Sequence, residues 1–206
     1  MLRLTTLRGV IVAVAALALV AGCSATSKTT AGPGADLFAP TGAPVTLTQI
    51  HGATGNQMPL GDGLSLVVPE GSKPENAASK PAGYDVTVYR MPDANAVGFP
   101  AVKVSWGVDK TTGVVEDSWT HEVRMTRDKT VSNYVRSSVT WPGAKVAVVA
   151  TWTEEVAKDS GPVQTEALAL WVETPSGTVA MVLAGAPKGQ LDGSTALDAL
   201  RSLTIG

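Results

Sequence analysis

The chain reads as an α+β protein, an antiparallel β-sheet packed by helices, and three observations predict it. From Val45 onward the apolar residues recur mainly at every second position, the period of a strand that turns one face to a core. Only two stretches, 115–127 and 196–203, carry the three-to-four-residue period of a helix. The late strands are joined by turns too short for anything but antiparallel neighbours.

The first stretch is not part of that fold. Arg3 and Arg8 precede an apolar run over 10–20, about half of the roughly 20 residues that span a bilayer, so the run reads as an export signal. Val20-Ala21-Gly22-Cys23 follows. It resembles the bacterial lipobox, an aliphatic residue, a small residue, Gly or Ala, then Cys. The resemblance implies a diacylglycerol thioether on the Cys23 thiol, cleavage between Gly22 and Cys23, and acylation of the new amine by palmitate or a similar chain. It places the protein on the extracytoplasmic face of the cytoplasmic membrane. Two or more chains are needed there, because one chain binds a bilayer only marginally. An ordinary secretory signal that happens to end in cysteine is the alternative.

Composition narrows the rest. The chain has 206 residues, 16 basic against 18 acidic, and a formal net charge of −2 that becomes more negative once Arg3 and Arg8 are removed. An acidic exported chain is a poor nucleic-acid partner. Cys23 is the one cysteine, so disulfides and cysteine-ligated metal are excluded and stability must come from packing. The organisation predicted is a signal peptide over 1–22, the lipidated Cys23 with a flexible tether over 23–44, and a single domain over 45–206. The tether is rich in Ser, Thr, Pro and Gly and cannot bury enough apolar surface to order itself. Its root-mean-square reach is about 25 Å. Leu37 and Phe38 interrupt it; docking on the domain is one reading of them, and an incidental place in the tether is the one preferred.

The strands follow in order. Leu64, Leu66 and Val68 lie between Gly61-Asp62-Gly63 and Pro69-Glu70-Gly71; Tyr84, Val86 and Val88 come next, then Val102, Val104, Trp106 and Val108. After the first helix, Val146, Val148, Ala150 and Trp152 follow the turn signal Trp141-Pro142-Gly143. Leu168, Leu170 and Val172 lead through Thr174-Pro175-Ser176-Gly177 to Val179, Met181 and Leu183. The first helix is predicted from Val115, Trp119 and Val123, with Glu116 and Asp117 early, Arg124 and Arg127 late, and Thr112 as a candidate cap. The closing helix is predicted from Ala196, Leu197, Leu200 and Leu203, capped by Asp192, Ser194 or Thr195.

This order resembles one known group. The lipobox and tether, the strand ending at Val68-Pro69, the stretch Gly98-Phe99-Pro100-Ala101-Val102-Lys103-Val104, the hairpin across Pro175-Ser176-Gly177 and the terminal Ala196-Leu197-Asp198-Ala199-Leu200-Arg201-Ser202-Leu203 look like the actinobacterial LpqN-type lipoproteins. The domain of that group is similar to the PsbP fold, an α/β/α sandwich. The resemblance implies a role in assembling cell-envelope lipid. It brings no catalytic residues with it.

Chemistry-bearing patterns are few. The chain has no G-x-S-x-G, no Walker loop and no G-x-G-x-x-G. His121-Glu122 lacks a second histidine four residues on, so it is no zinc motif. Glu154, Glu155 and Asp159 read as a solvated acidic loop, since a paired-carboxylate site needs them facing each other. No metal, cofactor or catalytic residue is predicted. Five tryptophans outnumber three tyrosines and two phenylalanines. Trp106, Trp141, Trp152 and Trp171 fall on strand patterns, with Trp106 and Trp152 on the core parity and Trp171 on the opposite one. Trp119 is placed on the helix. Alanines 147, 150, 167, 169, 180 and 184 either leave room on the sheet or allow close helix packing.

The function this supports is non-enzymatic binding of a lipid, glycolipid or lipid-linked envelope precursor by a membrane-anchored domain. The cleft is expected between helix 115–127 and the sheet, with Trp119 at its rim and Val115, Val123 and Trp171 contributing. A small envelope hydrolase or transferase is one alternative. A module docking on an envelope membrane protein is another.

Overall fold

A computed structural model describes residues 35–75, 83–108, 112–157 and 161–206. The predicted signal peptide, Gly22, Cys23 and the tether up to residue 34 lie outside the described residues, as does Asp159. A 3-10 turn at Ala35–Phe38 opens the described chain. Strands β1 (Gly42–Val45), β2 (Asn56–Gly61), β3 (Leu64–Val68), β4 (Lys73–Glu75), β5 (Tyr84–Arg90) and β6 (Ala101–Val108) precede helix α1 (Val114–Thr126). Strands β7 (Val131–Val139), β8 (Val146–Val156), β9 (Val163–Glu173) and β10 (Thr178–Pro187) follow, then α2 (Thr195–Arg201) and β11 (Thr204–Ile205). Among the described residues, eight strands form one sheet in the order β1-β7-β8-β9-β10-β6-β5-β4, and β11-β3-β2 form a second. Neighbours are antiparallel except β1, which runs parallel to β7. The α+β class read from the sequence is the class observed.

Alternation along the long strands sends apolar residues to both faces of the large sheet. Val102, Val104, Leu170, Val172, Ala180, Val182 and Ala184 meet Leu64, Leu66, Leu197, Leu200 and Leu203 in one core beneath α2 and the small sheet. Ala169, Trp171 and Val179 point the other way and join Val148, Ala150, Trp152 and Val114 beneath α1. The two helices therefore lie on opposite faces. Ser194 caps α2, its hydroxyl accepting from the Leu197 N–H at 3.1 Å.

Four elements depart from the sequence reading. Residues 35–44, assigned to the tether, carry the 3-10 turn and most of β1. Phe38 packs edge-on against Trp119 with centroids 4.9 Å apart, so it is a docked anchor residue. Gly42 permits the parallel pairing, because a Cβ there would collide with the Ser137 Oγ. Strand β7 has no clean alternation because its register breaks between Ser132 and Val135, with Asn133 at φ +56°, and because its inward residues include Arg136. Trp141 lies past the end of β7, in the turn, and not on a strand.

The fourth departure concerns α1. The sequence spacing predicts Val115, Trp119 and Val123 as its inward stripe and Thr112 as its cap. The cap position is Gly113, without a side-chain hydrogen bond. Val114 and Ser118 are fully buried, and His121 and Met125 continue their line toward the sheet. The stripe is 114/118/121/125, the correct spacing for a helix but displaced by one residue. Two of its members are polar, and so no hydrophobic count could find it.

Candidate functional site

Helix α1 packs chiefly on β7, β8 and β9 and, among the described residues, leaves the same face of β10, β6 and β5 only partly covered, with Val179 and Ser105 buried and Met181, Leu183 and Val86 half-buried. Along the edge of the helix runs a cleft of about 370 Å³. The volume falls in the range of roughly 300–1,000 Å³ usual for small-molecule sites. Cross-strand register lays out its floor. Trp171, Met181, Ser105 and Val86 form one row, and Leu183 and Lys103 belong to the next. The wall is the polar flank of α1: Asp117, Thr120, His121, Arg124 and Met125. Val179, Met181, Leu183 and Val86 make the floor apolar while Lys103 and Ser105 interrupt it. Trp152 and Trp171 close the inner end and are almost fully buried.

His121 stands where wall meets floor. Its Nδ1 is 3.0 Å from the Tyr134 hydroxyl, and its ring lies 5.3 Å from Trp152 and 5.1 Å from Trp171. Tyr134 in turn stacks on Trp152 at 5.6 Å. Burial, and then the nearby Arg124 and Lys103 charges, hold the His121 pKa down at about 4, so the ring is neutral near pH 7. Burial and the Arg124 charge also lower the Lys103 pKa. Burial, reinforced by Glu122, raises that of the Tyr134 phenol.

What fixes the helix over this site is Arg136, only 1% exposed. Its Nε donates to Glu122 Oε2 at 2.8 Å. Its Nη1 donates to the Val115 carbonyl and to Ser118 Oγ, both at 3.0 Å. Its Nη2 donates to the Ala39 carbonyl at 3.2 Å, so one guanidinium ties β7, α1 and the N-terminal segment together.

Of the residues proposed from sequence, only Trp171 lines the cleft. Val115 and Val123 are half-buried on other flanks of α1, Val115 against the core beneath it. Trp119 meets Phe38. The alanines do not create the space. Ala150, Ala167 and Ala169 lie in the packed core beneath α1, whereas Ala147, Ala180 and Ala184 lie in the core beneath α2. The volume lies along the flank of α1, over side chains of β8, β9, β10, β6 and β5. Lys103, His121, Arg124, Met181 and Leu183 were not selected from sequence. The alternation 179/181/183 against 180/182/184 on one strand was the available signal, because a strand apolar on both parities needs two covering layers.

The acidic patterns do not converge. Glu122 is committed to Arg136. Glu154 and Glu155 project from opposite faces of β8, Glu154 accepting from Trp152 Nε1 at 3.3 Å and Glu155 from Gln164 at 2.8 Å. Among the described residues no three His, Cys, Asp or Glu side chains are grouped to hold a metal ion. Compared with known proteins, the chain matches no family model and no curated protein.

Proposed function

We propose that this chain is a cell-envelope lipoprotein, held at the outer face of the cytoplasmic membrane through Cys23, whose domain binds an acyl-bearing amphiphile in the cleft beside α1. The observation that carries the reading is the cleft itself: an apolar floor on β10, β6 and β5 faces a polar helical wall. An acyl chain on that floor removes its own surface and that of Met181, Leu183 and Val86 from water, about 0.8 kcal/mol per buried methylene. A polar head meets the wall. The lipobox supplies the setting, since an anchored domain works where amphiphiles are abundant. The likeness to LpqN-type lipoproteins points to the same class of ligand.

Photo-crosslinking tests it on the full chain in phosphatidylcholine nanodiscs. A palmitate analogue with a mid-chain diazirine is expected to label peptides containing residues 84–86 and 181–183, and unlabelled palmitate to compete. Labelling confined to 1–34, or scattered without saturation, overturns the reading and favours a protein-docking module. The anchor has its own check: Cys23→Ala should abolish metabolic labelling with a fatty-acid analogue, and equal labelling of both forms would remove the lipoprotein assignment.

A further inference from the structure

The polar groups on the cleft are not evenly spread. Lys103 on β6, in register with Leu183, and Arg124 on α1 line the same cleft, with neutral His121 between the wall and the floor. No ion pair among the described residues takes up either charge; the pairs there join Arg90 to Glu75, Arg136 to Glu122 and Lys145 to Glu173. Each of the two cations lowers the pKa of His121, and Arg124 lowers that of Lys103.

Two carboxylates also line the cleft, and neither forms an ion pair with Lys103 or Arg124 among the described residues. Asp117 lies seven residues before Arg124, about 10 Å along the helix axis, and has an interaction of its own. Glu154 is on β8, three strand positions from β6, or about 14 Å across the sheet, and it accepts from Trp152 Nε1. Two cations brought together over an apolar floor, one of them half-buried, repel each other until an anion joins them.

Resting on the acyl-binding reading above, we infer that the cleft selects amphiphiles with an anionic head, a phosphate or a carboxylate, held between Lys103 and Arg124 with the chain along Met181 and Leu183. Ser105, on the same floor, offers a hydroxyl beside Lys103. A charge-assisted contact from each cation would make the anionic form bind about tenfold or more tighter than a neutral one with the same chain.

The experiment compares three diazirine probes of equal chain length on the full chain in phosphatidylcholine nanodiscs: a fatty acid, an alkyl phosphate and a monoacylglycerol. Expected is labelling of the peptide bearing residues 181–183 at about tenfold lower concentration for the two anions. Lys103→Gln with Arg124→Gln should bring the two anions to the concentration that monoacylglycerol needs, and the charge-keeping Arg124→Lys should retain the difference. Equal labelling by all three probes, unmoved by the double substitution, overturns the head-group inference and leaves the cleft reading standing. No cleft labelling by any probe overturns both. Inorganic phosphate should fail to displace the alkyl phosphate; displacement at equal concentration would make this a site for free anions and overturn the inference.

Discussion

The large sheet is finished differently on its two faces. Under α2 and the small sheet, Leu64, Leu66, Leu200 and Leu203 seal the strands with hydrocarbon, and the core they form is closed. Under α1 the cover among the described residues is one helix that packs chiefly on β7, β8 and β9 and only partly covers the strands beside them. That helix is held by Arg136, Ser118 and Glu122, and through His121 and Tyr134, as much as by Val114 and Met125. The first face is packed with hydrocarbon over its strands, and the cleft of about 410 Å³ on that side lies outside the packed core, between α2 and residues 50–54. The second gives up part of its burial and gains a cleft with charge at its edge. The same strands serve both, so the division of labour lies within single strands.

The largest effect expected is on the polar fastening. Arg136→Ala strands Glu122 and frees the Ala39 carbonyl, and should cost about 3–5 kcal/mol in urea unfolding. Replacing the pair together, Arg136→Met with Glu122→Leu, should recover much of that loss, because desolvating two charges offsets most of their attraction. If the double variant were as unstable as the single one, the helix would be held by something other than this pair. Next in size is the closed face. Leu66→Ala, at a site with no exposure, should cost about 2–5 kcal/mol and leave the affinity of the folded fraction for acyl probes unchanged. A matching loss of affinity would mean that the two faces are coupled.

How much of this was legible in the sequence follows the same division. The closed face was readable because its residues are apolar, alternate strictly and end at turn signals, as in β3 and in Val102, Val104 and Trp106 of β6. Strand β7 was not readable. A bulge shifts its parity, and its most important inward residue is an arginine. The α1 stripe was displaced by one position for the same reason: Ser118 and His121 face inward because a guanidinium and a phenol satisfy them, and those partners come from β7 and not from the helix. A cleft between helix 115–127 and the sheet was expected, and a cleft runs along the edge of α1. Its lining was not expected, because a helix too short to cover a sheet is a fact of tertiary placement. Short edge elements such as β1, β4 and β11 carry too few residues to show a period.

The third effect is a pH dependence that belongs to the α1 face. His121 titrates near its ordinary 6.5 in the unfolded chain and near 4 in the fold. Above pH 6.5 both states are neutral and its burial costs nothing. As pH falls from 6.5 toward 4, the unfolded chain takes up a proton that the fold refuses, so stability falls, by about 3 kcal/mol at most. Asp62 and Asp128, held below their ordinary 3.8 by hydrogen bonds, add loss only as pH drops under that value. Unfolding free energies measured between pH 7 and 5 should therefore slope downward in the wild type and flatten in His121→Gln. An unchanged slope in the variant would remove His121 as the source.

The smallest stability effect is the sharpest test, because it sets two adjacent residues against each other. Val182 and Leu183 follow one another on β10 and point to opposite faces. Val182 has no exposure and lies among the side chains beneath α2, so Val182→Ala removes fully buried methyls and should cost about 1.5–3 kcal/mol. Leu183 is half-buried on the cleft floor, so the larger truncation Leu183→Ala should cost only about 1 kcal/mol. Binding should rank the other way. In the wild type, two more methylenes on a probe chain add about 1.6 kcal/mol, roughly fifteenfold in affinity, if the floor buries them. Leu183→Ala should weaken that chain-length dependence, and Val182→Ala should leave it intact. A titration of fatty acids of increasing length against both variants decides the point. Equal slopes in the two would mean that the chain does not lie along β10, and the open face would then need another explanation for its missing cover.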